Sequence, residues 1–284
     1  MRIAVVGARG QLGAAVVQAC RTAHDVVPLG RADLDITDDN AVRSVIARIN
    51  PDAIVNCAAH NDVDGAEDHP VEALNVNAFS VRALAMAAEA AGAVLVHYST
   101  DFVFDGTACA PYKETDRPNP RSVYAVSKLL GEWFALDAPR AYVLRVESLF
   151  GSAPGVDNAK GSAQAIRRTL ESGGKARVFE DRTVSPTFVL DAARATRQLL
   201  EQGPAPGLYH CVNSGSCTWL EFARELAQRL GIRDVEARLA PVRVADVPLR
   251  AARPQYCALS NEKLRSAGVA MPKWQNAIAR FVSV

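Results

Sequence analysis

The first thirteen residues constrain this chain most. Arg2-Ile3-Ala4-Val5-Val6 is a short apolar run that leads into Gly7-Ala8-Arg9-Gly10-Gln11-Leu12-Gly13. Three glycines spaced G-x-x-G-x-x-G thus stand between a strand-like run and a helical pattern. A buried parallel strand, a tight turn and a helix N-terminus aim free N–H groups at one point, which suits a pyrophosphate. Glycine at the turn lets phosphate oxygens approach the backbone, and Gly13 lets helix and strand pack closely. Glycine-rich strand-to-helix turns also serve purely structural ends, so the rest of the chain must decide.

The runs Arg2–Val6, Asp25–Leu29, Ala53–Cys57, Val94–Tyr98 and Tyr142–Val146 read as strands. Helical patterns lie between them near 11–22, 39–49, 70–91 and 122–136. Short aliphatic runs alternating with longer helices mean βαβ units and a parallel sheet. The expected class is therefore α/β, a doubly wound Rossmann-type sheet whose ligands sit at the carboxyl ends of the strands. After about residue 150, Gly, Ser, Pro and charge become frequent. A helix near 162–172, a strand at Ala176–Glu180, a helix at about 189–201 and a strand at Gly207–Val212 follow. Thr218–Leu230 reads as an amphipathic helix that packs Trp219, Phe222, Leu226 and Leu230 into a core. With 284 residues, 49% of them apolar, the chain suits one main domain with a smaller lobe. Residues 1–148 plus about 176–212 are expected to bind the dinucleotide. About 149–175 plus 213–284 are expected to form a discontinuous α/β substrate lobe.

A formal charge of +1 implies no broad attraction to nucleic acid. The long apolar stretch Ala83–Tyr98 is interrupted by Glu89 and Gly92, so no membrane span is expected. The N-terminal apolar run is too short for a signal peptide. Six cysteines include no C-x-x-C pair, which fits a reducing cytoplasm. The histidines lack zinc-site spacing.

Two further segments carry chemistry. Tyr124-Ala125-Val126-Ser127-Lys128 places Tyr and Lys four apart, on one helix face. Reduction of a carbonyl leaves an alkoxide that needs a proton. A phenol becomes a useful acid–base there when a nearby cation stabilises its phenolate, and Lys128 can also hold a ribose hydroxyl. Tyr98-Ser99-Thr100-Asp101-Phe102 follows the fourth strand, so Ser99 and Thr100 stand at its carboxyl end. A hydroxyl there can polarise a substrate carbonyl. Each motif alone also suits an ordinary solvated helix or turn.

Together these segments resemble the extended short-chain dehydrogenase/reductase superfamily and, more narrowly, the dTDP-4-dehydrorhamnose reductase family. The resemblance spans nearly the whole chain. It rests on G-A-R-G-Q-L-G at 7–13, R-A-D-L-D-I-T-D at 31–38, N-C-A-A at 56–59, V-D-G-A-E at 63–67 and N-V-N-A at 75–78. It continues through S-T-D-F-V-F-D-G at 99–106, Y-A-V-S-K at 124–128, D-R-T-V-S-P-T at 181–187 and R-P-Q-Y-C-A-L-S-N-E-K-L at 253–264. The resemblance implies a hydride passing from a nicotinamide to C4 of dTDP-4-dehydro-L-rhamnose. Tyr124 would donate the proton, Lys128 would assist it and Thr100 would orient the 4-keto group. It also implies cofactor contacts from the Gly7–Gly13 loop, including Arg9, Gly10, Gln11 and Leu12. Asp35 and Ile36 would flank the adenine, and Ala58, Ala59 and His60 would lie along the cofactor. Val63, Asp101, Ser148, Arg182 and Arg253 would join Thr100 on the sugar-nucleotide side.

The chain departs from the family at several points. His60-Asn61 replaces a common Tyr-Thr, and Ser148 stands where several members carry a sugar-contacting Trp. Ala15 and Leu190 stand where some members have glutamates that bridge a dimer through magnesium. Neither can ligate a hard cation, so a homodimer would form without a metal bridge. Arg31, with Arg9, suits a 2′-phosphate and favours NADPH over NADH, softened by Asp33 and Asp35. A different nucleotide-sugar epimerase or reductase, or a non-catalytic NADP-binding regulatory subunit, are the alternatives. Phe102 after Thr100-Asp101 argues against dehydration, because it cannot transfer a proton.

Overall fold

Six parallel strands build the central sheet of this computed structural model, which describes residues 1–156 and 160–283. They are β1 (Arg2–Val6), β2 (Asp25–Leu29), β3 (Ala53–Asn56), β4 (Val94–Thr100), β5 (Ala141–Val146) and β7 (Gly207–His210). Their order is β7-β5-β4-β3-β1-β2. The four interior strands are almost wholly buried, as an apolar sheet covered on both faces requires. The chain winds outward from β1 to β2, then returns to place β3 on the other side of β1. This reversal opens a crevice at the carboxyl ends of the strands.

On one face lie α1 (Gln11–Arg21) and α6 (Val189–Gln202), which pack on each other. On the other lie α2 (Asp39–Ile49), α3 (Ser80–Ala90) and α4 (Val123–Leu136). Local chemistry sets the ends. Asp38 caps α2 by accepting from the Asn40 and Ala41 N–H groups, and Asn50 ends it in the left-handed region. The single helix expected over 70–91 is three pieces: Pro70–Leu74, a π-helical turn at Asn75–Phe79, and α3. The extra residue of such a turn re-aims side chains and recurs at functional sites.

The lobe packs α5 (Ser162–Glu171), α7 (Trp219–Arg229) and α8 (Trp274–Val282) around Phe150, Phe188, Phe222 and Ile278. Thr218 and Glu221 cap α7 reciprocally. The lobe also takes in β6 (Ala176–Phe179), which the sequence grouped with the dinucleotide half. β6 pairs with β8 (Leu239–Val242), and Val178 is buried in the lobe's own core. The strand's alternating burial suits that two-stranded sheet, and the central sheet is completed instead by β7. Among the described residues, no helix is long and apolar enough to cross a membrane.

Candidate active site

The site begins at the end of β1. Gly7 has φ +75°, and a Cβ there would lie 2.7 Å from the Ala58 backbone nitrogen. A Cβ on Gly13 would run into the Gly7 carbonyl oxygen. Both glycines are therefore required by the close passage of β1, the chain after β3 and α1. Gly10 caps α1 without a side-chain bond, and the first turn of α1 carries no acidic residue. Its N–H groups and the helix dipole are left for an anion.

A cleft of about 930 Å³ opens in front of this turn. Its walls include Arg9, Gly10, Gln11 and Leu12 from the glycine loop and Ala58, Ala59 and Val63 from the chain after β3. Thr100, Asp101, Tyr124, Lys128, Ser148, Arg182 and Arg253 complete the expected set that meets there. Gly7 and Gly13 shape the turn from behind. Arg31 is an exposed residue just beyond β2, outside the cleft wall. Asp35 accepts from the Thr37 N–H at 3.0 Å and from its hydroxyl at 2.7 Å, a local turn. Ile36 is buried against Leu34 and Val42, so its side chain serves the core. His60 also stands outside the wall: Asn77 grips its backbone, accepting from its N–H at 2.9 Å and donating to its carbonyl at 3.0 Å.

The expected reacting groups sit on two elements. Ser122 caps α4 by accepting from the Ala125 N–H, which fixes the first turn that carries Tyr124. Lys128, one turn on, is 3% exposed and donates from Nζ to the Tyr98 carbonyl at 2.6 Å. Thr100 ends β4; its hydroxyl donates to Asp101 Oδ1 at 3.0 Å and accepts from the Phe102 N–H at 3.2 Å. Burial raises the Tyr124 phenol above its ordinary value; the Thr100 hydroxyl opposes that shift and the Asp101 charge adds to it. Burial also pulls the Lys128 ammonium down to about 8, against the favourable charge of Glu132. A phenol and an ammonium held dry in one cleft can exchange a proton with a carbonyl oxygen.

Several residues that shape the cleft were not expected from the sequence. Phe102 meets Tyr124 edge-on at 5.7 Å, and the Arg182 and Arg253 guanidinium carbons each lie 5.8 Å from its ring centre. It therefore organises one wall of the cleft. Trp219, expected only as core, is buried in the lobe and also lines the cleft, as do Lys160 and Ser162 at the start of α5. Asn77 ties the loop after β3 to α4 by donating to Ser127 Oγ at 3.0 Å; the N-V-N-A segment was its only signal. The arginines expected on the substrate side also hold the protein together. Arg253 pairs with Asp64 at 2.9 Å, and Arg182 donates to the Pro254 carbonyl at 3.1 Å. Gln11 likewise donates its amide to the Gly151 carbonyl at 2.5 Å. Ser148 lines the cleft at φ +46°, an uncommon conformation for a residue with a Cβ and one concentrated at functional sites.

The family described as RmlD substrate binding domain matches residues 1–284. A dTDP-4-dehydrorhamnose reductase of Mycobacterium tuberculosis (strain ATCC 25618 / H37Rv) is 37% identical, over 98% of this chain and 91% of that protein. The crystal structure of a dTDP-4-dehydrorhamnose reductase from Clostridium acetobutylicum superposes with a TM-score of 0.92 at 31% identity, covering 100% of this chain and 99% of that one. One from Bacillus anthracis, in complex with NADP, gives a TM-score of 0.91 at 31% identity, covering 99% and 98%. With this similarity running end to end, the chain belongs to the dTDP-4-dehydrorhamnose reductase family.

Proposed function

We propose that this protein reduces the 4-keto group of dTDP-4-dehydro-L-rhamnose to give dTDP-L-rhamnose. The observation that carries the reading is the convergence of Thr100, Tyr124 and Lys128 with the glycine-loop turn on one cleft. The turn fits a dinucleotide: a Cβ at Gly7 would clash with backbone, and the first turn of α1 offers N–H groups without a competing acid. NADPH, when bound, supplies the hydride. Gly10, Gln11 and Leu12 would hold its diphosphate, Ala58 and Ala59 would lie along it, and Lys128 would hold a ribose hydroxyl.

The chain's own residues then handle the oxygen and its proton. Thr100 orients the carbonyl, and Tyr124 gives its phenolic proton to the oxygen as negative charge develops there. Lys128 stabilises the phenolate left behind. Val63, Ser148, Arg182 and Arg253 form the sugar-nucleotide side, where the two guanidiniums supply positive charge beside Phe102. A panel of 4-keto sugar nucleotides, assayed by loss of NADPH, tests the reading. Turnover should be fastest with dTDP-4-dehydro-L-rhamnose. Isomerisation without net cofactor consumption would instead indicate an epimerase.

Arg31, with Arg9, is the group expected to favour a 2′-phosphate. Arg9 lies against Gly30 and 3.8 Å from Asp33, at the mouth of β2. Arg31→Ala should raise KM for NADPH by about tenfold and leave KM for NADH unchanged, the scale of one charge-assisted hydrogen bond. An unchanged ratio of the two cofactors would remove Arg31 from the account.

The protein works as a homodimer without a metal bridge, in the cytoplasm. Exposed Phe79 and Met86 beside α4's exposed Val126, Trp133 and Leu136 support an apolar contact. Ala15 and Leu190 offer no ligand oxygen, and all six cysteines are free thiols. Trp133→Lys should convert the dimer to a monomer in light scattering, and EDTA should leave assembly and activity unchanged. A monomeric parent protein, or loss of assembly with EDTA, would overturn this reading.

A further inference from the structure

Asp101 and Arg182 of the cleft wall belong to a buried polar cluster whose other members, Glu147 and Cys257, have no assigned role. Asp101 follows Thr100 at the end of β4, Glu147 follows β5, and Arg182 and Cys257 come from the lobe. One oxygen of each carboxyl group and the Cys257 sulfur lie within 4.8 Å of one another, all buried. Each carboxyl group has one partnered oxygen. Asp101 Oδ1 accepts from the Thr100 hydroxyl at 3.0 Å, and Glu147 Oε2 accepts from the Ser185 N–H at 2.6 Å. The other two oxygens, Asp101 Oδ2 and Glu147 Oε1, are buried without a hydrogen-bond partner among the described residues. Arg182 lends positive charge nearby, but its donors reach the Pro254 carbonyl and the Cys257 sulfur.

Buried acceptors without donors are costly, and two neighbouring carboxylates resist being charged together. A shared proton answers both difficulties at once, whereas a metal cation would face the Arg182 charge. We propose that Glu147 is a positioning residue that shares a proton with Asp101, and that this proton sets which way the Thr100 hydroxyl points.

The consequence rests on the reductase reading of the cleft. Thr100 has a single hydrogen to give. When Asp101 is charged, Oδ1 draws that hydrogen inward and only lone pairs face the cleft. When the proton resides on Asp101, its Oδ1 is a weaker acceptor and the Thr100 hydrogen can turn to a substrate carbonyl. Burial raises Asp101 above the ordinary carboxylate range, against the opposing influence of Arg182. Burial, and then the charge of Asp101, lift Glu147 well above the carboxylate range. The pair therefore keeps a proton through neutral pH. Tyr124 faces it from α4, and Cys257, Cys217 and Tyr256 face it from the lobe, each a neutral group at that pH.

Infrared spectra and kcat–pH profiles of wild type, Glu147→Gln and Asp101→Asn test this. Wild type at pH 7 should show the band of a buried neutral carboxylic acid, and Glu147→Gln should lack it. A glutamine amide at 147 donates to Asp101 and favours its charged form. The alkaline limb of kcat, which Lys128 also shapes, should therefore begin about one pH unit lower in Glu147→Gln, with KM for NADPH unchanged. Asp101→Asn should abolish the contribution of the pair to that limb. Absence of the neutral-acid band in wild type, or an unmoved limb in Glu147→Gln, would overturn the proposal. The wild-type spectrum judges the pair even where a variant does not fold. Wild type that fails to reduce any 4-keto sugar nucleotide would instead sink the reductase reading, and the spectra would still judge the shared proton.

Discussion

Tyr124→Phe is expected to lower kcat by about 10²–10⁴-fold while NADPH still binds, the usual worth of a positioned acid. The ring remains to pack edge-on against Phe102, so the cleft keeps its shape. What disappears is the proton that the proposed mechanism gives to the developing alkoxide. Lys128→Met should cause a loss of similar size, because a buried phenol forms its phenolate poorly without a neighbouring cation. The pH dependence follows from the same pair. The Lys128 ammonium is held down at about 8 by burial, so it is charged below that pH and loses its charge as pH rises through it. kcat should therefore fall on the alkaline side, near pH 8. A flat profile to pH 10 in the reduction direction would separate Lys128 from the proton step.

The second large effect concerns stability. Arg145 on β5 and Glu132 on α4 are both 2% exposed and meet through two parallel hydrogen bonds, at 2.8 and 2.7 Å. Arg145 also lies 4.9 Å from the centre of the Phe104 ring. Glu132→Ala leaves a buried guanidinium without its counter-charge and should lower the unfolding free energy by about 3–5 kcal/mol. The double variant Glu132→Leu/Arg145→Met removes both charges and should cost less than either single change. Denaturant titration of the single and double variants decides this. A Glu132→Ala loss below about 1 kcal/mol would mean the pair behaves like an exposed one. The pair also bears on the chemistry, because the Glu132 charge helps Lys128 hold its proton. If the variant folds, its alkaline limb should start at a lower pH than in wild type.

The sequence made the main sheet legible because its strands are short aliphatic runs between helices. Arg2–Val6 and Asp25–Leu29 keep their expected bounds, and β4 extends only to include Ser99 and Thr100. The site was legible where a motif fixes backbone, as at Gly7, or one helix face, as at Tyr124 and Lys128. It was illegible where the partner comes from far along the chain. Nothing local marks Glu147 as the neighbour of Asp101, or Trp219 as both core and cleft wall. The π-helical turn at 75–79 was hidden because its residues fit ordinary helix periodicity. What it accomplishes, aiming Asn77 at His60 and Ser127, is a tertiary fact. The β6 boundary was misplaced for a related reason. A short strand reads alike in either sheet, and its partner β8 lies some sixty residues later.

The central claim is that the cleft couples cofactor oxidation to proton delivery from Tyr124 onto a sugar-nucleotide ketone. Its most direct test is a single assay: NADPH consumption with dTDP-4-dehydro-L-rhamnose, by wild type and Tyr124→Phe, with the product identified. Wild type should consume one NADPH per dTDP-L-rhamnose formed, and Tyr124→Phe should be slower by about 10²–10⁴-fold. No NADPH consumption by wild type, or a Tyr124→Phe variant as fast as wild type, would contradict it.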